Sequence, residues 1–170
     1  MSTLAIRNLL IDIARKDVNK TEVTRNQAPW IKKYWPSTSY PEGYANREPY
    51  CAAAMCKWTD DWVALPEVGE AFDMSAGELE MWRCKSARVF DWPDWAKRKK
   101  LSILGENAKL HTGDVMVFDM SHIGVVYSDK GNNVYTIEAN TGATGGRDGD
   151  GCFSKVRARS LAKCFIRMLA

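Results

Sequence analysis

Apolar residues recur along this chain with two different periods, and the change falls near His111. Leu4, Ile6, Leu9, Leu10, Ile13 and Ala14 mark one face of a helix over Leu4 to Lys16, with Ser2 or Thr3 as its cap. Trp30 to Trp35 predicts a short helical segment ended by Pro36, and 36–49 reads as a loop rich in Pro, Ser, Gly and Asn. Cys51 to Ala64 predicts a helix that Pro66 stops, followed by helices over Gly77 to Lys85 and Trp92 to Lys100. Beyond His111 the spacing suits strands: Val115 to Phe118, His122 to Tyr127 and Asn133 to Glu138, the last two joined by a turn at Asp129 to Asn132. Thr141 to Gly151 is a glycine-rich loop, and Cys152 to Arg157 and Lys163 to Arg167 are the final strands. Helices first and a strand meander afterwards make an α+β domain, with N-terminal helices packed on an antiparallel sheet.

The length of 170 residues suits a single domain, 1–170, with its own core. No stretch free of charged residues is longer than the nine from Met120 to Ser128, far short of a spanning helix, so membrane insertion is not expected. The N-terminus has no apolar run before Asp12, so no signal peptide is expected. The net charge of +3 is too small to suggest nucleic-acid binding. The run Lys97 to Lys100 reads as the solvated end of a helix, where cations suit the macrodipole. Five cysteines leave at least one thiol without an intramolecular partner, and with two histidines a histidine-rich metal site is not expected.

The chemistry starts at Cys51, which opens an Ala-rich helix. A thiol there meets free backbone N–H groups and the positive end of the helix dipole. Both favour thiolate, and the same N–H groups can hold an oxyanion. His122 opens one strand and Glu138 ends the next. With a loop over Ser128 to Asn132, antiparallel pairing sets His122 opposite Glu138, within reach of a hydrogen bond that would fix the imidazole tautomer. Asn140 would share that face. A nucleophile, a base and an orienting group form the set needed for acyl transfer through a thioester.

These residues also carry a resemblance. Tyr50-Cys-Ala-Ala-Ala-Met-Cys-Lys-Trp58 resembles the Trp/Tyr-Cys-Ala-Ala-Phe motif of the CHAP-type cysteine amidases and peptidases. Leu110 to Phe118 resembles that family's Gly-Asp-hydrophobic strand, Ser121 to Val126 its His-Val-Gly-Ile-Val segment, and Thr136 to Thr141 its Ile-Glu-Gly-Asn segment. Asn26 to Tyr34 and the ending Cys164 to Arg167 also have counterparts in phage and prophage members. The resemblance implies a papain-like fold and peptidoglycan as substrate, with Cys51 as nucleophile, His122 as base, Glu138 as orienting group and Asn140 as an auxiliary polar residue. It implies no cofactor and a monomeric enzyme of the amidase or endopeptidase type. As a phage endolysin it would wait in the host cytoplasm for a holin to release it to the wall. The alternatives are an exported antibacterial toxin with an immunity partner, or an inactive wall-binding module of a phage particle.

The chain departs from the family pattern at 66–110, which reads as an insertion over the cleft, and at Ala139, where many relatives have Gly. Cys56 and the pair Trp58 and Trp62 read as core. Trp92 and Trp95 read as packing, with stacking on sugar rings as the alternative. Cys152 and Cys164 would pair in an oxidising space if their strands are adjacent. His111 is the rival histidine, without a facing carboxylate. Asp148 to Gly151 reads as a turn rather than a calcium loop, since no acidic ligand closes it.

Overall fold

The computed structural model describes residues 1–142 and 149–170. Six helices and a six-stranded antiparallel sheet form an α+β fold. Helix α1 (Thr3–Arg15) is capped by the Ser2 hydroxyl, which accepts from the Ala5 N–H at 3.3 Å. Ile6, Leu10, Ile11 and Ala14 form its buried face. Leu4 falls outside that stripe and is 56% exposed, because the stripe turns with the helical period and Leu4 lies beyond its edge.

A single turn, α2 (Pro29–Lys32), and two short 3-10 turns carry the chain to α3 (Cys51–Val63). Ala52, Ala53 and Ala54 are fully buried, and such small side chains let α3 lie close against the sheet. Two indoles fasten it: Trp58 donates to Asp17 at 2.9 Å and Trp62 to the Ile6 carbonyl at 2.9 Å. Tyr34 donates to the same Asp17 carboxylate at 2.8 Å.

Pro66 does more than stop α3. It occupies the first position of a further helix, α4 (Pro66–Phe72), where its fixed φ and missing N–H cost nothing. Helix α5 (Ala76–Trp82) begins with a capping box between Ser75 and Glu78. Helix α6 (Asp91–Arg98) buries Trp92 and Trp95, whose indoles donate to the carbonyls of Ser86 and Trp82. Both are therefore packing residues, and neither is free to stack on a sugar.

The strands are β1 (Ser102–Leu104), β2 (Val115–Phe118), β3 (His122–Lys130), β4 (Asn133–Thr141), β5 (Gly151–Ala158) and β6 (Ala162–Arg167). Their order across the sheet is β1-β6-β2-β3-β4-β5. Strand β1 has no counterpart in the sequence reading: it is three residues long at the sheet edge, too short to display a period. Val115, Val117, Ile123, Val125, Ile137 and Ala139 face the helices. Met116, Phe118, Val126 and Val134 form a second cluster on the other face with Leu110 and Phe165.

The order corrects the expectation for Cys152 and Cys164. Their strands, β5 and β6, are separated by β4, β3 and β2, and each step between neighbours is about 4.8 Å. That is beyond the reach of a disulfide. All five cysteines are free and buried.

Candidate active site

The hairpin of β3 and β4 decides whether His122 and Glu138 can meet, and it differs from the expected one. Lys130 pairs with Asn133, so the turn is only Gly131-Asn132, with positive φ at Gly131 as a II′ turn requires. Extending that register would put His122 and Glu138 on opposite faces. A bulge between Val126 and Ser128 inserts one residue, Tyr127, and restores the parity. Beyond it Val125 pairs with Ile137, so Glu138 falls beside Gly124 and is a diagonal neighbour of His122 rather than its direct partner.

The diagonal contact works because residue 124 is glycine. A Cβ there would lie 2.6 Å from Glu138 Cγ and 2.9 Å from the Ile137 carbonyl. The space is used by the Glu138 side chain as it crosses towards His122, which donates from Nε2 to Oε2 at 2.9 Å. Both residues are wholly buried.

Arg157 completes the arrangement, and the sequence reading did not single it out. Its Nε donates to Glu138 Oε1 at 2.8 Å and its Nη2 to Oε2 at 2.5 Å, a bidentate clamp. The guanidinium also lies over the Phe118 ring at 5.4 Å, and Thr136 donates its hydroxyl to Glu138 Oε1 at 2.5 Å. No sequence signal marks it, since β5 turns the apolar residue outward and the charged one inward: Val156 is 56% exposed while Arg157 is buried. Burial pushes the Glu138 pKa up, but the Arg157 and His122 hydrogen bonds and charges outweigh it and hold the carboxyl down at about 2.

Cys51 begins α3 with no side chain capping the helix, so the N–H groups of its first turn have no side-chain partner. Burial alone would lower the His122 pKa, but the Cys51 thiol and then Glu138 raise it to about 9. Nε2 is committed to Glu138, and Nδ1 is buried without a formed hydrogen bond. The thiol is thus close enough to act on the ring without being aligned as a hydrogen bond to Nδ1. Such contacts often tighten only when substrate binds.

Asn140 is buried at a second bulge, in the left-handed region with φ 56°. Among the described residues its side chain makes no hydrogen bond to Cys51, His122 or Glu138, so the hairpin places it near the set without joining it. His111 stands apart from Cys51, in a group with Asp114, Arg7 and Arg167. Burial and the two arginines lower its pKa.

Cys51 opens into a cleft of about 440 Å³. Trp35, Tyr40, Glu48, Arg88 and Phe90 are among the residues that line it. The segment 66–110 therefore supplies a wall of the cleft. Among the described residues, no group of three His, Cys, Asp or Glu side chains could hold a metal ion, and no helix is long and apolar enough to cross a membrane. The turn reading of Asp148 to Gly151 rests in part on Asp148, which lies outside the described residues, as does most of the glycine-rich loop. No family model matches this chain, and neither a curated protein nor a solved structure does.

Proposed function

We propose that this chain is a peptidoglycan hydrolase of the CHAP type, with a papain-like fold, that cleaves an amide bond of the wall peptide through a thioester on Cys51. The observation that carries the proposal is the line Cys51, His122, Glu138, in which one imidazole nitrogen is held by a clamped carboxylate and the other is left for the thiol. The ordered motifs that resemble the family supply the substrate class. A phage endolysin is the setting that fits this reading.

In this mechanism His122 Nδ1 takes the Cys51 proton and the sulfur attacks the amide carbonyl carbon. The N–H groups at the start of α3 hold the oxyanion. The imidazolium gives its proton to the leaving amine as the carbon–nitrogen bond breaks. His122 then takes a proton from water, which attacks the thioester, and returns it to the departing sulfur. Glu138 keeps Nε2 protonated throughout and steadies the imidazolium charge.

Purified peptidoglycan incubated with the protein should yield new amine and carboxyl ends by mass spectrometry. Free muramoyl carboxyls would mark an amidase and new peptide ends an endopeptidase. Pretreatment with iodoacetamide should stop digestion and place one adduct, on Cys51. Cys56, Cys84, Cys152 and Cys164 are poor competitors, since burial raises each thiol pKa. Undiminished digestion by the alkylated protein would exclude Cys51 as nucleophile.

The pH profile follows from the same pair. Protonated His122 is needed to expel the amine, so turnover should fall on the alkaline side as His122 loses its proton, with an apparent pKa near 9. The sign for stability agrees: a raised histidine contributes fully below its ordinary 6.5, and the contribution is lost as pH rises through about 9. Glu138 acts at the other end, its contribution fading as pH falls from 4.5 through about 2. Initial rates that stay flat to about pH 10.5 would contradict the assignment of His122 as the acid.

A further inference from the structure

The cleft over Cys51 carries two charges that the mechanism does not use. Arg88, on the wall supplied by 66–110, is exposed, and its guanidinium makes no hydrogen bond or ion pair among the described residues. Glu48, which lines the same cleft, is likewise exposed and makes no side-chain hydrogen bond or ion pair among the described residues, with Arg88 or with any other. The Arg88 wall is further cationic: Lys163 Nζ stands 5.6 Å from the centre of the Phe90 ring, and Phe90 lines the cleft. Most other arginines of known placement are engaged, as Arg83 with Glu80, Arg159 with Asp129 and Arg167 with Asp114.

We infer that Arg88 binds a carboxylate of the wall peptide beside the scissile amide, and so selects peptides whose acid is free over peptides whose acid is amidated. This inference rests on the proposed hydrolase activity and names a substrate feature of that site. Three observations support it. A guanidinium offers a planar pair of donors that matches a carboxylate and not a carboxamide, which presents one oxygen and a competing NH2. The cleft has the volume of a small-molecule site, so it holds a short peptide segment rather than a length of polymer. Glu48 puts a negative charge into the same cleft, so a polyanion meets repulsion there, whereas a single carboxylate directed to Arg88 avoids it.

The test uses three synthetic muramoyl pentapeptides: one unamidated, one with the isoglutamyl α-carboxylate converted to carboxamide, and one with the C-terminal carboxylate converted instead. Wild type should favour the unamidated peptide over one of the two amides by about tenfold in kcat/KM, and that amide identifies the carboxylate. In Arg88→Gln the ratio should collapse towards one, and Arg88→Lys should restore part of it. Equal rates on all three peptides in wild type, or an undiminished ratio in Arg88→Gln, would overturn the inference. Calorimetric binding to Cys51→Ala separates this from failure of the hydrolase reading. Absence of cleavage with a retained carboxylate preference in Kd defeats only the hydrolase reading, and loss of the preference defeats the inference.

Discussion

Alanine at Cys51 is expected to lower kcat/KM on a wall peptide by at least about 10⁴-fold, alanine at His122 by a similar factor, and the double variant by no more than the worse single one. The reason is that the two side chains act as one unit. Without the sulfur there is no thioester, and the imidazole has nothing to deprotonate. Without the imidazole the leaving amine has no proton donor, and the thiol has no base. The residual rate would come from the N–H groups at the start of α3 and from substrate binding, which neither substitution touches. Cys51→Ala should lower stability without unfolding the protein, since it removes a small side chain at the cleft together with its share in holding the His122 proton. In His122→Ala the Glu138 carboxylate remains held by Arg157 and Thr136, so the fold should survive. Single-turnover rates of the four proteins, wild type included, give the cycle. Losses that multiply would show that Cys51 and His122 do not share a step.

The largest loss of stability is expected from Arg157→Met, about 3–5 kcal/mol by chemical denaturation at neutral pH. Arg157 is the only cation with two hydrogen bonds to Glu138 among the described residues. Removing it leaves a carboxylate in a wholly buried position with His122 and the Thr136 hydroxyl as its remaining partners. For a domain whose total stability is of order 5–15 kcal/mol, this is a large fraction. The loss should shrink as pH falls, because a protonated Glu138 no longer needs the cation. Adding Glu138→Gln to Arg157→Met should recover part of the stability while leaving turnover low, since a neutral amide steadies the imidazolium poorly. A loss below about 1 kcal/mol would mean that water reaches Glu138 and that the clamp is not required for the fold.

The separation between what the sequence revealed and what it hid follows the range of each interaction. Cys51 at a helix start is a local feature, visible from the Ala run that follows it. The long helices α1 and α3 are legible because their apolar residues repeat over several turns. Counting across a five-residue loop sets His122 opposite Glu138, and the contact exists, but through a different count. A tight turn and a bulge together moved the register by two, which kept the parity and changed a facing pair into a diagonal one. Tyr127 carries no signal for a bulge, being an ordinary β-forming residue. Arg157 stayed hidden because its face depends on how β5 aligns with β4, and the glycine-rich connection does not fix that alignment. The family resemblance brings 66–110 to the cleft, but nothing local says that Arg88 and Phe90 are the residues of that segment which line it.

The bulge at Tyr127 also gives the hairpin the character of a phase lock. Its two strands could slide by an even number of residues and keep their apolar sides inward, and an odd slip is what the core would refuse. The same rule that protects burial therefore protects the proton path. A lineage that trimmed one residue from this strand would have to restore one nearby, or surrender core and chemistry together.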